Sequence, residues 1–189
     1  MAKPNRPVIS DAEALQALAH PVRLDLLNYL MSDSPATASA CARAVGDTPS
    51  NCSYHLRVLA RHGLVKPDRS SDGRERPWRA VVTGFSIDDA EPGTPEARGR
   101  AALAAAALQL DQRLAREYLA RRDQVPARWR AVDAYDHYTL RATPAELRQL
   151  LAELDRLIRP LIAATRGDVR RGSAVVHLSL QAFLRDADQ

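Results

Sequence analysis

The chain has 189 residues, 46% of them hydrophobic and 26% charged, the composition of a globular protein able to bury a sizeable core. No apolar run is long enough to span a bilayer, and residues 1–9 lack the continuous apolar stretch of a secretory signal, so a cytoplasmic protein is expected. The net charge is only +4, yet residues 57–79 hold seven basic and three acidic side chains, an excess equal to that of the whole chain. A local basic stripe on an otherwise balanced chain points to a polyanionic partner, although a solvated face would explain the cluster taken alone.

Residues 10–31 place Leu15, Leu18, Val22, Leu26, Leu27 and Leu30 near helical spacing, with Pro21 dividing the segment into two helices. A short helix over residues 38–45 ends at Gly46, a natural C-terminal cap. Thr48-Pro49 opens a further helix that runs to about His62 and is stopped by Gly63. Residues 64–68 and 76–83 read as two strands, joined by a turn that contains Asp72-Gly73. Helix, helix, turn, helix and hairpin in this order make a winged helix-turn-helix, expected over residues 8–84.

Residues 85–95 read as a linker. A long helix follows over residues 96–123, with Leu103, Ala107, Leu110, Leu114 and Tyr118 in one stripe. Such a stripe serves as intramolecular core or as a dimer seam. Residues 126–186 then read as strand, helix, strand. Residues 134–142 and 174–184 alternate, and Thr143-Pro144-Ala145-Glu146 is a capping box that opens an amphipathic helix. The expected fold is thus mainly α with small β: a winged domain, a long dimerisation helix and a C-terminal α/β unit.

In the helix that follows Thr48, residues Cys52, His55, Leu56 and Leu59 fall at i, i+3, i+4 and i+7 and face inward. Ser50, Asn51, Ser53, Tyr54, Arg57 and Arg61 are left outward or at the margin. Their hydroxyl, amide, phenol and guanidinium groups suit base edges and phosphates in a major groove. On the hairpin, Arg69, Arg74 and Arg76 flank a slim tip containing Ser70 and Ser71, as a wing lying along phosphates requires. Trp78 is expected to pack on the domain rather than to touch nucleic acid.

The motif Ala17-Leu18-Ala19-His20-Pro21-Val22-Arg23-Leu24 resembles the first-helix signature of the ArsR-type winged-helix regulators. Residues 53–59 and 62–65 resemble that family's recognition helix and its exit, and residues 73–79 resemble its wing. The resemblance covers residues 10–82. It implies a cytoplasmic transcription regulator, most often a ligand-released repressor, that binds double-stranded operator DNA as a homodimer on an inverted repeat. The family's metal sensors pair cysteines in the first helix of the helix-turn-helix. Here Cys41 and Cys52 occupy apolar positions and read as small hydrophobes, so neither a metal nor another cofactor is expected.

The five histidines are scattered, and no phosphate loop, nucleophile elbow or metal-protease spacing occurs, so an enzyme is not expected. In the C-terminal unit, Tyr135, His137, Arg141, His177 and Gln181 fall on the polar faces of the alternating segments. That surface suits a small-molecule effector or a second subunit, and an ordinary solvated sheet face accounts for it equally well. A winged-helix module for protein–protein interaction, without operator binding, is the alternative reading of the whole.

Overall fold

The computed structural model describes residues 8–69, 76–87, 89–165 and 170–185. Their order is β1 (Val8–Ile9), α1 (Ala12–Leu18), α2 (Pro21–Asp33), α3 (Ala38–Val45), α4 (Pro49–Arg61), β2 (Val65–Pro67), β3 (Trp78–Ala80), β4 (Ser86–Ile87), α5 (Pro95–Arg121), α6 (Ala127–Arg130) and α7 (Pro144–Thr165). The protein is mainly helical with two small sheets, and its N-terminal part has the winged helix-turn-helix arrangement expected from the sequence. No helix of the described residues is long and apolar enough to cross a membrane.

Local chemistry sets most of the helix ends. Asp11 accepts from the Ala14 amide at 2.8 Å, Thr37 from Ala40 at 3.2 Å, Thr48 from Asn51 at 3.2 Å and Thr94 from Ala97 at 3.1 Å, each satisfying an amide that the first turn leaves without a partner. Pro21, Pro49, Pro95 and Pro144 begin their helices, where a missing N–H costs nothing. Gly46 closes α3 with φ 69°, a left-handed conformation that disfavours any residue with a Cβ.

The core lies between α1, α2, α3 and α4 and is closed by the start of α5. Leu15, Leu18, Leu26, Leu27, Leu30, Leu56, Leu59 and Leu103 are fully buried there. β2 and β3 pair antiparallel, with Lys66 opposite Arg79. The far edge of β3 is bonded to the segment before α3, since the Ala36 and Trp78 amides each donate to the other's carbonyl at 2.9 and 2.8 Å. The hairpin is thereby fixed beside the helix-turn-helix.

Two features depart from the sequence reading. β1 and β4 pair in parallel, Val8 with Ser86 and Ile9 with Ile87, so the start of the expected linker belongs to the winged domain. Residues 134–142 and 174–184, expected as strands, form none. Alternation makes a segment amphipathic, but a strand also requires a ladder partner, and none of the described residues supplies one.

Candidate nucleic-acid interface

Helix α4 divides as its spacing requires. Cys52, His55, Leu56, Val58 and Leu59 are buried, which orients the opposite face. Ser50, Asn51, Tyr54, Arg57 and Arg61 are exposed, Tyr54 by 57%, and Ser53 is half-buried. One carboxylate that the motif reading passed over organises the start of this face. Asp47 accepts from the Thr48 amide and from Asn51 Nδ2, both at 2.6 Å. These two donors, the backbone one first, hold its carboxyl below the usual range. The Asn51 amide is therefore engaged in the free protein. A carboxylate just ahead of a helix N-terminus was the available signal.

In the hairpin, Asp68 accepts from the Arg69 amide at 2.9 Å and from Arg79 Nε at 2.7 Å. Arg79 is thus tied within the wing, whereas Arg69 and Arg76 are exposed. Ser70, Ser71 and Arg74 lie outside the described residues. Trp78 is half-buried against the core, as expected of a packing residue. The start of α3, the outer face of α4 and the hairpin enclose an open cleft of about 570 Å³, lined by Ser39, Ser50, Ser53, Arg57, Arg76 and Trp78 among others. Hydroxyls and guanidiniums converging on one cleft are the donors that an anionic backbone needs.

Behind this surface, the His20 and His55 rings lie together, tilted by 39° with centroids 4.6 Å apart. Arg23 Nε donates to the Ala17 carbonyl, joining the end of α1 to α2. Burial pushes the Cys41 thiol up to about 11 and raises that of Cys52. Both thiols are therefore held protonated, as small buried hydrophobes.

The stripe expected as a dimer seam is already occupied within the chain. Leu103 and Leu110 are buried, and Ala107 and Leu114 pack against the same core. The Tyr118 hydroxyl donates to Asp133 at 2.7 Å, beside Arg122 Nε at 2.8 Å from the same oxygen. Of the residues proposed for an effector surface, Tyr135, His137 and Arg141 are exposed. His177 Nε2 lies 2.8 Å from Asp111 Oδ1, and Gln181 Nε2 donates to Asp111 Oδ2 at 3.1 Å. The second alternating segment is therefore anchored on α5, an attachment to which the sequence pattern gave no clue.

Residues 18–68, which hold the helix-turn-helix from the end of α1 to the hairpin's first strand, match a family described as a helix-turn-helix domain. A stretch of 73 residues is 41% identical to the HTH-type transcriptional regulator NmtR of Mycobacterium tuberculosis. The match covers 36% of this chain and 60% of that protein, less than two thirds of the relative's length.

Proposed function

We propose that this chain, whose winged helix-turn-helix domain resembles the ArsR type, is a homodimeric transcription regulator that binds operator DNA. In this reading α4 enters the major groove and presents Ser50, Asn51, Ser53, Tyr54, Arg57 and Arg61, while the wing, with Arg69, Ser70, Ser71, Arg74 and Arg76, lies along the adjacent backbone. The observation that supports it is the cleft in which the exposed face of α4, with Arg57, and Arg76 of the hairpin meet. A dimer would set two such helices about 34 Å apart, on the half-sites of an inverted repeat.

Repression relieved by a small-molecule effector follows from the same family likeness. Any ligand that binds one spacing of the two winged domains better than another would shift operator affinity. The test is fluorescence anisotropy of the full chain on its own promoter DNA and on a scrambled duplex, across salt. Preference for the promoter, weakening by roughly 0.9 log units per phosphate contact per decade of salt, is expected. Equal and feeble binding to both would overturn operator binding in favour of a protein-interaction module.

A further inference from the structure

Among the described residues, the core buries one polar side chain, His55, on the inner face of α4. Its companions on that face, Cys52, Leu56 and Leu59, pack as hydrophobes, whereas His55 meets another imidazole. The ring of His20, the residue between α1 and α2, lies with its centroid 4.6 Å away. The Nδ1 atoms of both rings are buried without a hydrogen-bond partner. Hydrocarbon side chains at these positions would fill the space without that cost. Helix α4 thus rests on the junction of α1 and α2 through two imidazoles that packing alone does not require.

The groups around the pair come from several elements. Arg23 of α2 is held at the junction because its Nε donates to the Ala17 carbonyl. Asp47, in the turn before α4, is already engaged by the Thr48 amide and Asn51 Nδ2. Tyr54 of α4 stands edge-on to His55, with ring centroids 5.2 Å apart. The thiols of Cys41 on α3 and Cys52 on α4 stay protonated, Glu13 of α1 is exposed, and Lys66 of β2 acts on Asp68 of the hairpin. A proton on either ring therefore sets a positive charge in a dry seat beside Arg23 and the second imidazole. Burial opposes that charge most, Arg23 adds to it at both rings and His20 adds to it at His55, while Asp47 favours it. The strain is relieved when the rings part, and they belong to different elements. His55 moves with α4, which carries Asn51 one turn before it and Tyr54 beside it.

We infer that His20 and His55 position α4 for operator recognition as a neutral pair, and that acidification loosens this seat and lowers the preference for promoter over unrelated DNA. The inference rests on the operator binding of the proposed function and adds a regulation to it. The pose of α4 matters for preference because base edges discriminate by hydrogen-bond geometry, whereas phosphate contacts carry no sequence information. His62, half-buried at the end of α4, also gains a proton in acid, but a cation there strengthens binding to any duplex alike. The ratio of the two affinities therefore separates the seat of α4 from a general gain of positive charge.

Anisotropy of the full chain on promoter and scrambled duplexes, from pH 7.5 to 5.5 at constant ionic strength, tests this, with circular dichroism at each pH to confirm that the chain is folded. A proton excluded from a complex lowers its binding constant by up to tenfold per pH unit, so the promoter-to-scrambled ratio is expected to fall by about tenfold over the range. His20→Phe keeps a ring but cannot take a proton, and is expected to flatten the profile. His62→Gln is expected to keep the wild-type profile. Should His20→Phe fail to fold or lose all preference, His55→Phe carries the same expectation. A ratio that rises on acidification overturns the inference, as does a fall that the phenylalanine variant leaves in place or that His62→Gln abolishes. Equal binding to both duplexes already at pH 7.5 sinks operator binding and this inference together. A promoter preference that stays level down to pH 5.5 sinks this inference alone.

Discussion

Gly99 of α5 lies so close to Leu15 of α1 that a Cβ at position 99 would stand 2.9 Å from the Leu15 Cβ. Leu15 is buried beneath it, and Gly99, Leu103, Ala106 and Leu110 form the buried face of α5. The missing side chain sets the distance at which the long helix leaves the winged domain. Gly99→Val would push two backbones apart in a packed seam, at a cost of about 1–3 kcal/mol, despite removing a glycine from a helix. Urea unfolding followed by circular dichroism would measure it, and an unchanged midpoint would show that the seam yields.

The neighbouring rings of His20 and His55 make stability depend on pH. His55 is only 5% exposed, and the Nδ1 atoms of both rings are buried without a hydrogen-bond partner. Burial is the main cause that lowers both pKa values; Arg23 pushes the same way, and Asp47 opposes it. A base held below its ordinary value of about 6.5 is protonated first in the unfolded chain. Stability is therefore whole above that value and falls as pH drops below it toward the lowered folded values. Urea midpoints at pH 7.5 and 5.5 should differ in that sense, and His55→Leu should reduce the difference. A midpoint that rises on acidification would refute this account.

Much of this architecture is legible because its signals are local. Thr48 and Thr143 mark helix starts, and the 52, 55, 56, 59 spacing separates the two faces of α4. The pairing of β1 with β4 is illegible for the opposite reason: two residues at each end of the winged domain carry no periodicity. On α5 the count of leucines caught Leu103 and Leu110 but missed Gly99 and Ala106, whose smallness brings α1 close. In the C-terminal part, the alternation of residues 134–142 and 174–184 marks segments with two unlike sides. Whether such a segment becomes a strand depends on a neighbour that lies far away in sequence or in another copy. The Asp111 anchor was invisible, because a lone acidic residue on a helix gives no hint of what crosses it.

Asp47 restrains the face proposed to bind DNA. Its carboxylate holds the Asn51 side chain at 2.6 Å and puts a negative charge where phosphates would approach. Asp47→Ala should release the Asn51 amide and remove that repulsion. Promoter affinity is expected to rise while the thermal midpoint falls, since the Thr48 amide also loses an acceptor. Anisotropy and calorimetry on the same preparation separate the two effects, and unchanged affinity would mean that Asn51 stays clear of the DNA.

Arg57 and Arg76 line the same cleft from different elements, and their removal should be distinguishable. Arg76, on the hairpin, is placed to meet the backbone, which is the same in every sequence. Arg76→Ala should therefore weaken promoter and scrambled duplex alike and reduce the salt slope by about 0.9. Arg57 lies on the outer face of α4, where base edges come within reach. Arg57→Ala should cost about 1–3 kcal/mol on the promoter and less on the scrambled duplex. Titrating both duplexes at several salt concentrations reads the two effects separately. If Arg57→Ala also weakens both duplexes equally, α4 touches only phosphates through this side chain, and sequence preference must come from Ser50, Asn51, Ser53 and Tyr54.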